Sequence, residues 1–281
     1  MTKTESTPVL RWTSGANTFR QTDEVAVEEP LEIQVDTRSI CVTMRTPGDD
    51  AELAAGFLLT EGLIKSRRHI LRIQPHPRNQ SGNVLNVFLA PGVVVDFARL
   101  TRHVFASSSC GLCGKATIEA VHSHFKPVIA KWSVQPDVLC ALPAQLRQAQ
   151  EAFGRTGGLH AAGIFTPRGK LVVLREDVGR HNAVDKVLGY GLLQGLLPFD
   201  RHILMVSGRA SFEIMQKALA ARIAVVAAIS APSSLAVQFA TQSRQTLAGF
   251  VRGERMNIYS RPERIRSKPQ RARRGAGRRI L

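Results

Sequence analysis

Strand and helix alternate from Leu171 to Val251, and that regularity narrows the folds open to this chain more than any other feature of it. Apolar stretches of strand length stand at Leu171 to Leu174, His202 to Val206, Ala224 to Ile229 and Ala248 to Val251. Between them, helical patterns run over Asn182 to Leu192, Ser211 to Ala221 and Ser234 to Ser243. Such short continuous strands are buried on both faces, which predicts an α/β fold. Its sheet contains parallel pairs, helices cover its faces, and its functional groups sit on the loops after strands. A chain of 281 residues that is 44% hydrophobic carries enough apolar surface for that core.

Upstream, Leu159 to Phe165 and Lys170 to Leu174 read as strands joined at Pro167-Arg168-Gly169, after a helical pattern from Pro143 that stops at Gly154. The N-terminal part is different. Leu31 to Val35 and Ile40 to Met44 alternate as a hairpin, Asp49 or Asp50 is placed to cap a helix from Ala51 to Leu63, and further strands are expected near Ile70 to Ile73, Val84 to Leu89 and Val93 to Val95. The expected organisation is a poorly periodic segment over 1–29, a smaller strand-rich lobe over 30–105, the α/β lobe over 106–265 and a tail over 266–281.

Between the lobes stands Ser107-Ser108-Ser109-Cys110-Gly111-Leu112-Cys113-Gly114, which holds two of the four cysteines. Serine and glycine keep such a loop open to an approaching partner, and a reactive thiol has to be both reachable and partly ionised. Alone, a C-x-x-C is a dithiol redox centre, half of a zinc site or a pair in which one sulfur carries a persulfide. A thioredoxin-type site opens a helix directly after a strand in a Trp-Cys-Gly-Pro-like setting, which this loop lacks. The zinc-deaminase pattern needs H-x-E followed by P-C-x-x-C. Here Ala162 stands in place of the glutamate after His160, Ser109 in place of the proline, and the cysteines precede the histidine. A structural zinc would draw on Cys110 and Cys113 with His122, His124 or His160, and no permanently bound metal is expected. Cys41 and Cys140 read as small buried hydrophobes.

The formal charge is +16, and half of it lies in the last stretch, where nine basic residues from Arg261 to Arg279 face only Glu263. With no interleaved aromatics, this reads as a solvated tail, and nucleic-acid binding is disfavoured. The excess on the remaining body predicts an anionic ligand. There is no apolar run long enough to cross a membrane, and Met1 to Ser6 lacks the apolar core of a secretory signal, so the expected compartment is the cytoplasm.

Three polar clusters follow strands. Arg175-Glu176-Asp177-Val178-Gly179-Arg180-His181-Asn182 and Ser207-Gly208-Arg209-Ala210-Ser211 lie at strand-to-helix turns, where backbone N–H groups and arginines make anion sites. The competing reading is that Glu176, Asp177 and Arg180 pair with each other and cap the helix. The third, Gly249 to Tyr259, reads as a strand, a glycine turn and a second strand, with Arg252 and Arg255 free to hold phosphates and Phe250 or Tyr259 to stack on a base.

Taken together, Arg175 to Lys186, Ser207-Gly208-Arg209 with Ser211 and Glu213, Ser233-Ser234-Leu235-Ala236 and the C-x-x-C resemble the FdhD/NarQ family in content and order, over nearly all of 15–265. The resemblance implies a cytidine-deaminase-like three-layer α/β/α core and a homodimer. It also implies a sulfurtransferase that carries sulfur as a cysteine persulfide from a cysteine desulfurase to the molybdenum bis-pyranopterin guanine dinucleotide cofactor (Mo-bisMGD), its bound substrate, which formate dehydrogenase requires. It further implies Cys110 as the persulfide carrier, Cys113 as its helper, and Phe250, Val251, Arg252, Gly253, Glu254 and Arg255 as cofactor-binding, with Arg180, His181 and Arg209 as further candidates. Two other functions stay open beside it, a dithiol oxidoreductase and a non-catalytic chaperone for guanine dinucleotides.

Overall fold

A computed structural model describes residues 2–15, 18–77, 82–95, 121–122 and 124–266. The loop with Cys110 and Cys113, and the tail from 267 onward, lie outside the described residues.

Leu159 to Ser260 builds a six-stranded mixed sheet from β7 (His160–Phe165), β8 (Leu171–Asp177), β9 (Ile203–Val206), β10 (Val225–Ala228), β11 (Thr246–Arg252) and β12 (Arg255–Ser260). Their order is β12-β11-β10-β9-β7-β8. Strands β9, β10 and β11 run parallel, as the alternation of strand and helix requires, while β7, β8 and β12 pair antiparallel at the flanks. The strands are buried on both faces by alternate residues. Phe165, Ile203, Met205, Val225, Ala227 and Ala248 face α2 (Pro136–Gln148) through Leu139, Leu142 and Leu146. Ile164, Leu204, Val206, Val226, Ala228 and Leu247 face the other way, toward α4 (Arg180–Leu193), α5 (Phe212–Ala220) and α6 (Ser234–Gln242). The sheet therefore carries helices on both faces, and a short α3 (Glu151–Thr156) follows α2.

The N-terminal part forms a four-stranded sheet of order β4-β3-β6-β5, from β3 (Glu29–Val35), β4 (Arg38–Arg45), β5 (Ile70–Pro75) and β6 (Val84–Leu89). Its apolar face, with Leu31, Ile33, Val35, Leu85 and Val87, packs into the same hydrophobic cluster as α4, α5 and α6. The helix α1 (Asp50–Thr60) lies between, which explains why Leu53, Ala54, Ala55, Gly56, Leu58 and Leu59 are all buried. Gly56 and Gly189 make that close packing possible. A Cβ on Gly56 would stand 1.9 Å from the Asp185 carbonyl oxygen, and one on Gly189 would stand 1.8 Å from that of Glu52.

Several expectations are revised. β1 (Thr4–Arg11) and β2 (Phe19–Ala26) form an antiparallel ribbon where little periodicity was visible. The helix expected from Pro143 begins seven residues earlier, at Pro136. Val93 to Val95 is not a strand. Asp49 precedes α1 in a left-handed conformation, φ 59°, and does not cap it. Its carboxylate pairs with Lys3 at 3.2 Å and Arg175 at 3.4 Å.

Candidate functional site

All three polar clusters come to one edge of the six-stranded sheet. β8, β9, β10 and β11 end there, and β7, antiparallel to β8 and β9, begins there with His160. Backbone hydrogen bonds fasten the loops side by side. Ser207 N donates to Ala161 O, Ala210 N to Ala231 O, Ser233 N to Ala210 O and Phe250 N to Ser230 O. Carboxyl ends of parallel strands are where open α/β sheets bind ligands, because helix starts and loop N–H groups converge there.

The first cluster divides into structural and available groups. Glu176 accepts the N–H groups of Ala152 at 3.0 Å and Phe153 at 2.8 Å, which satisfies the otherwise orphaned start of α3. Asp177 is fully buried and meets the Lys186 ammonium at 2.7 Å, with further donors from Gly179 N and Asn182 Nδ2. Neither carboxylate pairs with Arg180. The Arg180 Nε is buried and finds no hydrogen-bond partner. Its side chain lies beside Gly208, where an added Cβ would come within 3.3 Å of His160 Nδ1 and 3.7 Å of Arg180 Cβ. A side chain at 208 would press on the His160 ring, so glycine leaves room between the two loops.

His181 sits deeper. Its Nε2 is 3.1 Å from Ser211 Oγ and 3.7 Å from a Glu213 carboxylate oxygen. Burial, followed by the cations Lys217 and Arg180, drives its pKa down to about 4, so at neutral pH the ring is uncharged and hydrogen-bonds the hydroxyl. Burial also works to raise the Glu213 carboxyl, but the Ser211 hydroxyl, its own backbone amide and His181 hold it below the ordinary carboxylate range. Burial, then Arg180, likewise lowers His160. Neutral histidines beside the Arg180 guanidinium leave a field suited to an anion.

Arg209 is exposed and makes no hydrogen bond or salt bridge to any described residue. The third cluster is a hairpin tip in which Arg252 pairs with Arg255 across Gly253 and Glu254, with Gly253 at φ 54°. A register shift between Gly249 and Arg252 turns Phe250 outward, 39% exposed in the left-handed region at φ 52°, while Val251 is fully buried in the core beneath α2. Left-handed backbone is costly for an aromatic residue and is held here by the Phe250 N–H to Ser230 bond. Arg252, Gly253, Glu254 and Arg255 are all exposed.

His122 is occupied elsewhere, stacked on Phe239 at 5.3 Å and bonded to Ser243 Oγ at 2.9 Å. Among the described residues no group of histidine, cysteine and carboxylate side chains is arranged to hold a metal ion. Cys41 is a partly buried thiol pushed up to about 11 by burial, which makes it inert at neutral pH. Burial also raises Cys140.

A model of the FdhD/NarQ family matches residues 26–266. The chain belongs to the FdhD/NarQ family. FdhD relatives named "Sulfur carrier protein FdhD" are close over almost their whole length. The one from Streptomyces avermitilis is 48% identical, covering 93% of this chain and 95% of its own. That from Mycobacterium tuberculosis is 48% identical, covering 91% and 96%. That from Sulfolobus acidocaldarius is 44% identical, covering 86% and 91%. A crystal structure provisionally described as a formate dehydrogenase accessory protein, from Desulfotalea psychrophila, superposes with a TM-score of 0.72 at 27% identity, covering 93% of this chain and 98% of that one. Of the sequence blocks that carry the resemblance in this FdhD/NarQ chain, those from Arg175 to Lys186, from Ser207 to Glu213 and around Ser233 lie along the same sheet edge, and the C-x-x-C lies outside the described residues.

Proposed function

We propose that this protein carries sulfur as a cysteine persulfide, taking it from a cysteine desulfurase and passing it to Mo-bisMGD for a formate dehydrogenase. The observation that carries the reading is the convergence of the family's sequence blocks on one cationic strand-end surface, in a chain whose relatives are named sulfur carriers. Exposed Arg209, Arg252 and Arg255, with the unpartnered Arg180 Nε, suit the diphosphates of guanine dinucleotides, and outward Phe250 offers a face for a base. Val251 then acts from the core, by fixing the hairpin.

The chemistry conserves electrons. The Cys110 thiolate attacks the outer sulfur of the desulfurase persulfide, a new S–S bond forms at Cys110, and the desulfurase leaves as thiolate. Delivery as sulfide to the metal requires a thiolate to take over the inner sulfur. Cys113 does this by forming a Cys110–Cys113 disulfide while HS⁻ departs, and a cellular dithiol reductant then returns both cysteines to thiols for the next round. The core is further proposed to follow the cytidine-deaminase arrangement, and the protein to work in the cytoplasm. A homodimer is also proposed, supported by the exposed Leu10, Trp12 and Phe19 on the ribbon.

Complementation tests the function. In a cell lacking its own carrier, this protein restores formate dehydrogenase activity and Cys110→Ala does not. Full restoration by Cys110→Ala would sink the reading.

A further inference from the structure

A second concavity lies at the opposite sheet edge, where β9 and β10 begin. It is a cleft of about 780 Å³ between the turn after α1, the segment from Lys65 to Arg68, the turn after α4 and the end of α5. Phe125, Leu197 and Pro198 give it an apolar surface, and Lys65, Arg67, Arg68, His124 and Arg222 surround that surface with no carboxylate among the lining residues.

Elsewhere in the molecule, several cations are instead neutralised by carboxylates. Arg45 is neutralised by Glu29 and Asp50, Arg175 by Glu52, Arg155 by Glu24 and Lys217 by Asp185. In the cleft, the fixed cations are held by neutral carbonyls. Arg67 donates to Ile70 O, and Arg222 to the carbonyls of Lys126 and Pro127. Lys65 and Arg68 are exposed and make no salt bridge to any described residue. A backbone carbonyl positions a guanidinium without cancelling its charge, so the positive potential stays directed at whatever enters.

The cations come from three separate chain segments around an apolar surface. Cations drawn from three segments, with apolar side chains between them, suit an extended chain that carries both carboxylates and apolar groups better than one compact phosphate. We infer that the cleft docks an acidic peptide segment of a protein partner, which sets an aliphatic or aromatic side chain against Phe125, Leu197 and Pro198 and its carboxylates against Lys65, Arg67, Arg68 and Arg222. The site is distinct from the strand-end surface and does not depend on the sulfur-carrier reading.

Fluorescence anisotropy with a labelled peptide of alternating glutamate and leucine tests this on the full chain. Wild type binds it, and binds the glutamine–leucine and glutamate–serine counterparts far more weakly. The pair Lys65→Glu with Arg68→Glu, both exposed and unpaired among the described residues, weakens binding about tenfold or more through charge reversal. Ala220→Trp, which fills the cleft from the end of α5, does the same while the thermal melt is unchanged. Equal binding by the charge-reversed protein overturns the inference, as does binding indifferent to the leucines. So does a cleft already closed by a second copy of the chain, seen as a dimer that Ala220→Trp dissociates, and so does displacement of the peptide by GDP. A failed outcome leaves sulfur loading untouched, so the two readings fall separately.

Discussion

At the scale of single residues, His181 and the Lys217–Asp185 pair are linked, because after burial the Lys217 ammonium helps to hold the His181 ring neutral. His181 has a folded pKa near 4 against an ordinary value near 6.5, so the unfolded chain binds the proton more readily. Its contribution to stability is therefore complete above about pH 6.5 and is lost as pH falls toward 4. Urea unfolding at pH 7 and pH 5 should show a drop in stability for wild type that is smaller for His181→Gln. An identical drop in both would remove His181 as a source. Lys217 is buried against Asp185 at 2.8 Å, with the Thr60 hydroxyl at 3.0 Å completing the contact. Burial disfavours its ammonium, but Asp185 and Glu61 outweigh burial, so its pKa lies above the ordinary value. Lys217→Met leaves a buried carboxylate alone and should cost about 3–5 kcal/mol by chemical denaturation, whereas Lys217→Met with Asp185→Leu should recover most of that loss. Equal losses in the single and double variants would contradict the pairing.

At the scale of elements, the contact between α1 and α4 joins the N-terminal sheet to the α/β lobe. Alanine normally favours a helix over glycine by about 1 kcal/mol, yet Gly189→Ala places a methyl 1.8 Å from the Glu52 carbonyl. The helices must move apart, and the expected net loss is about 2–3 kcal/mol in the urea midpoint. A neutral or stabilising Gly189→Ala would show that the approach is looser than described. Strand and helix positions from Leu159 to Val251 were legible because the strands there are built on short apolar runs closed by turn residues. The β1–β2 ribbon was not legible, since both its faces are largely exposed and no apolar alternation marks it. The start of α2 was hidden by Pro143, which sits inside the helix although proline usually marks an end.

At the scale of the molecule, the sequence blocks point to separate loops, and folding was needed to show that they share one sheet edge and that some of their members are structural. The competing reading of that cluster pairs Glu176 and Asp177 with Arg180 as helix caps; Glu176 does cap a helix, α3, while Asp177 pairs with Lys186. Arg180 looked like their counter-ion, yet its Nε is left without a partner. The role of Val251 also required three dimensions, because strand alternation beside a bulge cannot be phased from composition. The assembled surface predicts that GDP, as a fragment of the cofactor, binds by calorimetry and that Arg252→Ala with Arg255→Ala weakens it about tenfold or more, with weaker binding at higher salt. Unchanged affinity in that variant would relocate the anion site. The most direct test of the sulfur-carrier account is the intact mass of the protein after incubation with a cysteine desulfurase and cysteine. The account predicts that wild type gains the mass of sulfur, removable by a thiol reductant, and that Cys110→Ala gains none. A wild type that gains no sulfur, or a Cys110→Ala protein that gains as much, would contradict it.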